Sequence, residues 1–256
     1  MLKQVQHDEL GVGCALIALI LLLFPVAAQA QSYQCRIDGA LPTSPRISRP
    51  ADQPVRVRPI DGFVLALSWS PEYCKGREDD SRAATQCGAL DNRDREHRRI
   101  GDFGFVLHGL WPETRGSDYP QWCAPVRPLA PAIVRRNLCM MPSARLINRQ
   151  WAKHGRCLTD NPGTYFRISR VLFDAVRFPD MDRLSRERDL TIGAFRKAFA
   201  AANDGLNADM IRLSVNSRGW LREVRLCLAR NYRPRACPAH LQRNKDSRRL
   251  NIWRGY

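Results

Sequence analysis

Apolar and polar positions along the chain change period several times, and each change marks an element. Phe63, Leu65, Leu67 and Trp69 alternate with smaller residues over 62–70, the period-two signature of a strand, which Pro71 ends. Residues 103–107 predict a second strand with His108 at its end. Residues 131–139 fit a short helix with proline in its first turn. Ser143 suits the N-cap, and Gly155 the C′ position, of a helix that carries His154 in its last turn. Gln150 then lies four residues back on the same face, with Lys153 beside it. Residues 164–178 place Tyr165, Phe166, Val171, Leu172, Phe173 and Val176 on a broad apolar helical face. Residues 191–202 predict another helix, stopped by Asn203-Asp204-Gly205. Alternation returns at Ile211, Leu213 and Val215, and again over 220–228. There Val224, Leu226 and Leu228 share one face, with Arg222, Arg225 and Cys227 on or near the other. Strands and helices mix without a regular βαβ order. The expected class is therefore α+β, a single domain whose central, mainly antiparallel sheet is flanked by helices.

The ends of the chain follow other patterns. Lys3 precedes an apolar run from about Val12 to Val26, and Ala28-Gln29-Ala30 fits a small-x-small cleavage site. Residues 1–30 read as a secretory leader; the run is short for a helix that spans a bilayer. Residues 31–60 read as an arm, rich in proline and arginine and extended in form. Residues 61–241 form the expected main domain, with a polar loop from Cys74 to about Ile100. Residues 242–256, with Arg243, Lys245, Arg248, Arg249 and Arg254, read as a basic surface tail.

Charge narrows the partners. A net charge of +16 and a pI near 10.1 attract polyanions: nucleic acid, anionic membrane or acidic polysaccharide. Without the leader, eight cysteines remain: Cys35, Cys74, Cys87, Cys123, Cys139, Cys157, Cys227 and Cys237. An even number in an exported chain predicts four disulfides, with pairing left open. No C-x-x-C occurs and only Cys227 and Cys237 are locally close, so no metal site is expected.

Outside the leader there are four histidines. His97, within a charged run, and His240, after a Cys-Pro loop, read as solvated surface residues. His108 and His154 each adjoin a glycine and lie within four residues of a tryptophan. Two histidines that titrate near neutrality can hold opposite protonation states across one substrate.

The segments around these two histidines carry a resemblance. His108-Gly-Leu-Trp-Pro112 and Trp151-Ala-Lys-His-Gly-Arg-Cys157 resemble the two active-site segments of the ribonuclease T2 family. The flanks Leu67-Ser-Trp-Ser-Pro-Glu-Tyr-Cys74 and Val224-Arg-Leu-Cys-Leu228 are also similar, so the likeness covers roughly residues 60–240. It implies an endoribonuclease that needs no metal or cofactor; the leader and the cysteines make it secreted or periplasmic, free of stable membrane association, and nothing in the sequence demands more than a monomer. Single-stranded RNA would be cut through 2′,3′-cyclic phosphates to 3′-phosphate ends. DNA, without the 2′-hydroxyl, would resist. The resemblance makes His154 the general base, His108 the general acid and Lys153 the stabiliser of phosphoryl charge. Trp111 and Tyr119 become stacking surfaces for bases, while Trp122 reads as core. It also implies the pairs Cys123–Cys157, Cys74–Cys87 and Cys227–Cys237, with Cys35–Cys139 left over.

One departure stands out. The family's second motif usually has His-Glu-Trp where this chain has Arg149, Gln150 and Trp151. Arg149 supplies a permanent charge for phosphate. Gln150 keeps the length and can donate a hydrogen bond, but it cannot exchange a proton. The alternative to an active enzyme is accordingly a catalytically weakened relative that binds RNA or another polyanion.

Overall fold

The computed structural model describes residues 35–37, 45–88, 100–241 and 244–255. The expected leader, His97 and Arg243 lie outside the described residues, as do parts of the arm. The rest is α+β, as the mixed periodicities imply. Four antiparallel strands form one sheet: β1 (Gly62–Trp69), β2 (Phe105–Glu113), β3 (Ile211–Val215) and β4 (Leu221–Ala229), in the order β2-β1-β4-β3. Phe63, Leu65, Leu67 and Trp69 of β1 all enter the hydrophobic core, as their alternation predicts.

The second strand is longer than its apolar run. It continues through His108 to Glu113, because β2 is an edge strand and an edge tolerates Pro112, which has no N–H to donate. His108 itself has no partner on β1. Leu107 opposes Leu67 and Gly109 opposes Ala66, so His108 is the extra residue of a β-bulge. The bulge resets the alternation: Phe105 and Leu107 face the core before it, Leu110 after it. It thereby aims His108 away from the core.

The helices are α1 (Ser70–Cys74), α2 (Ala84–Cys87), α3 (Pro131–Asn137), α4 (Ala144–Gln150), α5 (Arg156–Leu158), α6 (Pro162–Asp174), α7 (Met181–Arg186) and α8 (Ile192–Ala201). The caps follow the sequence. Ser143, Asn161, Asp180 and Thr191 each accept a backbone N–H of the first turn of α4, α6, α7 and α8. Tyr165, Phe195 and Phe199 are fully buried against the sheet, each worth about 1.5–3 kcal/mol relative to exposure.

Gly155 does not end its helix. Its φ is −62°, right-handed, and the chain passes from α4 through a π-helical turn, Trp151–Gly155, into α5. The Arg156 N–H reaches back five residues to the Trp151 carbonyl. Glycine is needed there for a different reason: a Cβ would lie 2.4 Å from the Trp151 ring. His154 thus sits in a π turn, a distortion common at functional sites.

Two terminal segments are tied in more closely than their composition suggests. Arg56 of the arm exchanges backbone hydrogen bonds with Gln121 at 2.9 and 3.0 Å, and the side-chain Oε1 of Gln53 accepts from Trp122 Nε1 at 3.1 Å. The expected surface tail instead threads back into the domain. Leu250 and Ile252 are buried, the Leu250 N–H donates to the Leu190 carbonyl, and Trp69 Nε1 donates to the Trp253 carbonyl at 2.6 Å. Two apolar residues at alternating positions anchor this basic segment together with the carbonyls of Asp246, Arg248 and Asn251, which accept backbone N–H groups of Gly193, Ile192 and Leu221.

All four pairs implied by the family likeness are formed: Cys35–Cys139, Cys74–Cys87, Cys123–Cys157 and Cys227–Cys237. Cys35–Cys139 closes 104 residues and Cys227–Cys237 closes 10. Since longer loops lose more unfolded-state entropy when cross-linked, removing the first pair as serines is expected to cost about 4 kcal/mol and removing the second less than about 3 kcal/mol. Urea unfolding of the two double-serine variants checks the order; equal losses would refute it.

Candidate active site

The sheet face opposite the core carries the polar chemistry. On β1 this face offers only small side chains near the centre, Ala66 and Ser68. Ala66 pairs with Gly109 on one side and Arg225 on the other; Ser68 pairs with Val106 and Glu223. Residues of β2 and β4 therefore meet above β1. His108 Nδ1 lies 2.5 Å from Glu223 Oε1, and Arg225 Nε donates to Glu223 Oε2 at 2.6 Å. Burial pushes the Glu223 carboxyl up, but the His108 hydrogen bond and the charges of His108 and Arg225 outweigh it. They hold the group below the usual carboxylate range.

The other half of the site comes from α4 and the π turn, which flank the edge of β2. Trp111 joins the halves. Its ring meets His108 edge-on at 5.1 Å and lies 5.7 Å from the His154 ring, nearly parallel to it. Its Nε1 donates to Gln150 Oε1 at 2.9 Å. That bond orients the Gln150 amide, leaving its N–H donors for another acceptor.

His154 is 5% exposed, and its Nδ1 is buried without a hydrogen-bond partner among the described residues. Burial first, then the positive neighbours Lys153, His108 and Arg149, push its pKa well below the ordinary value of 6.5. His154 is thus a neutral imidazole at neutral pH and can accept a proton. Lys153 is shifted down as well, by burial and then by Arg149 and Arg56.

This gives a signed pH dependence. Below about pH 6.5 the unfolded chain protonates His154 while the fold keeps it neutral, so stability is lost as pH falls from that value toward the lower folded pKa. From about pH 7 to about pH 5, wild-type protein is expected to lose more thermal stability than His154→Gln. Parallel declines in the two melting curves would refute the burial of a neutral histidine.

Around His154 the predicted binding residues assemble. The Tyr119 ring is 6.2 Å from His154, with Lys153 Nζ 5.7 Å and Arg56 Cζ 5.0 Å from its centroid. Arg149 lies over the Trp122 ring at 5.6 Å. Trp122 is buried, in line with the core reading, and its backbone N–H donates to the Lys153 carbonyl at 2.7 Å. The Cys123–Cys157 disulfide fastens this loop to the second motif.

All seven site residues expected from the sequence thus lie in one connected cluster. Two histidine readings divide. His97 is outside the described residues. His240, expected on the surface, is only 20% exposed at its side chain and faces buried Glu113 at 3.4 Å. Two residues were missed. Arg56 belongs to an arm that composition alone marks as a connector. Glu223 had a faint signal: an acid on the strand face opposite Val224, in step with Arg225.

The chain is also similar to known proteins. Residues 60–233 match the ribonuclease T2 family model. The chain is 34% identical over 140 residues to a probable ribonuclease of Haemophilus influenzae, covering 50% of this chain and 47% of that protein. It is 38% identical over 98 residues to a ribonuclease of Aeromonas hydrophila, covering 38% of each. The matched part thus spans about half or less of these relatives. The solved structure of trichomaglin, described as an S-like ribonuclease, shares the fold at 20% identity and a TM-score of 0.55, over 75% of this chain and 97% of that one. With a family match over most of its length and both motif histidines gathered around one tryptophan, the chain belongs to the ribonuclease T2 family.

Proposed function

We propose that the protein is an endoribonuclease that cleaves single-stranded RNA by transphosphorylation. The observation that carries this reading is the pair of histidines on either side of Trp111, one kept neutral by burial and the other bound to a carboxylate. His154 takes the proton from a ribose 2′-hydroxyl. The 2′-oxygen forms a bond to the adjacent phosphorus as the bond to the 5′-oxygen breaks. His108, as imidazolium, gives its proton to that departing oxygen. The 2′,3′-cyclic phosphate is then opened by water with the roles exchanged, leaving a 3′-phosphate. Lys153, Arg149 and the Gln150 amide offset charge on the phosphoryl oxygens. Trp111 and Tyr119 offer ring faces to bases. Proton transfers and charge stabilisation complete the cycle without a metal or cofactor.

The leader reading and the four disulfides support export to the periplasm or beyond. Among the described residues no helix is long and apolar enough to cross a membrane.

A weakened, RNA-binding relative is the second reading, favoured by one observation: position 150 holds a neutral amide whose carbonyl is already bound by Trp111. Incubation of oxidised protein with RNA and sequence-matched DNA in excess chelator separates the two. RNA cut to cyclic-phosphate ends with DNA intact is the expected result. Salt-sensitive RNA binding without cleavage would overturn the first reading in favour of the second.

A further inference from the structure

Glu223 belongs to neither motif, and its strand is separated from that of His108 by β1. Strands two apart in a sheet are about 9.6 Å from each other, so their side chains meet only where the intervening strand is low. Ala66 and Ser68 make that gap in β1, and the bulge at His108 turns its ring toward it. The Ser68 hydroxyl approaches the same carboxylate oxygen, at 3.5 Å. Among the described residues, Glu223 is the carboxylate hydrogen-bonded to a motif histidine, and on α4 the neutral Gln150 faces Trp111 instead.

We propose that Glu223 is the positioning residue of the general acid, holding the His108 ring by Nδ1 so that the Nε2 proton is the one delivered to the substrate. The inference rests on the acid–base reading above and adds the residue that makes His108 the acid. An Nδ1–H held by a carboxylate selects the tautomer and ring rotation, and the anion offsets the imidazolium. Arg225 completes the device. It binds the second carboxylate oxygen, so when His108 gives up its proton the carboxylate remains in an ion pair rather than buried and alone. In this chain the negative charge beside the catalytic histidines therefore comes from β4 and not from α4.

The test joins kinetics to a spectroscopic readout. Glu223→Gln keeps the shape but can turn an amide donor toward the ring. With a dinucleoside monophosphate, kcat is expected to fall by about 10²-fold, toward the lower end of what general acid catalysis contributes, while KM changes by less than about threefold. Nitrogen NMR of labelled protein should show neutral His108 mainly as the Nδ1–H form in the wild type and redistributed in Glu223→Gln. The tautomer measurement needs no turnover, so it stands even if the protein proves not to cleave RNA. Should Glu223→Gln fail to fold, Glu223→Asp retains the charge but withdraws the acceptor by one methylene, and is expected to shift the tautomer and lower kcat by a smaller factor. A folded Glu223→Gln, or failing that a folded Glu223→Asp, with wild-type kcat and an unchanged His108 tautomer would overturn the inference. In that case loss of cleavage in His108→Ala would show that the acid–base reading survives it.

Discussion

Alanine in place of His108 or of His154 is expected to lower kcat for RNA cleavage by about 10³–10⁴-fold, at the upper end of what one general acid or base contributes. The two losses should not add. Proton removal by one histidine and proton delivery by the other belong to a single displacement, so the double variant should be within about tenfold of either single one. Both variants should also fail to open a preformed 2′,3′-cyclic phosphate, because the second step uses the same pair with roles exchanged. Binding should survive, since Arg149, Lys153, Arg56 and Tyr119 remain in place. The assay is single-turnover cleavage of a short RNA with separation of cyclic and linear phosphate ends. If either variant kept more than about a tenth of wild-type activity, that histidine would not be part of the proton path.

Gly109→Ala is expected to lower the rate by about 10²-fold, although residue 109 takes no part in the chemistry. A Cβ there would lie 2.1 Å from Gln150 Oε1, 2.6 Å from Trp111 Nε1 and 2.8 Å from Gln150 Cδ. The nearest atom ends a side chain that could swing away in other surroundings. Here Gln150 is 3% exposed and its oxygen is held by Trp111, whose rigid ring presents the second clash. The methyl group must therefore break the Trp111–Gln150 hydrogen bond and displace the ring that both histidines pack against. Displacements near 1 Å cost about 10²-fold in rate, and overpacking costs about 1–3 kcal/mol in stability. Adding Gln150→Ala removes the clash with the amide but not that with the indole. The double variant should regain thermal stability without regaining activity. Wild-type rates in Gly109→Ala would mean that the cluster tolerates a looser packing than its distances imply.

Much of this was legible in the residues. Period-two alternation located β1, β3 and β4, because a half-buried strand must place every second side chain in the core. A capping residue, Ser143, located the start of α4, because the first N–H groups of a helix need acceptors. The two motif histidines, Lys153 and the cysteine pairs came from the family likeness, and the structure brings those residues together. The errors also have physical causes. β2 was cut short because His108 looked like a polar terminus, whereas it is a bulge on an edge strand that admits Pro112. Gly155 looked like a helix end because its close contact with Trp151 is invisible in one dimension. The C-terminal segment looked like a tail because its arginines outnumber the two apolar residues, Leu250 and Ile252, that help to anchor it.

Local periodicity settles which side of β1, β3 and β4 each residue takes, and residue type settles which chemistry the histidines could perform. Backbone periodicity is a local property, and a few neighbouring residues reveal it. Which faces then meet was decided only by the tertiary structure. The register of β1 against β2 and β4, shifted by one bulge, carries Glu223 across Ala66 and Ser68 to His108. The Cys123–Cys157 tie and the π turn bring His154 to the other side of Trp111. Such meetings depend on pairings between residues tens to more than a hundred positions apart, and no local pattern encodes them.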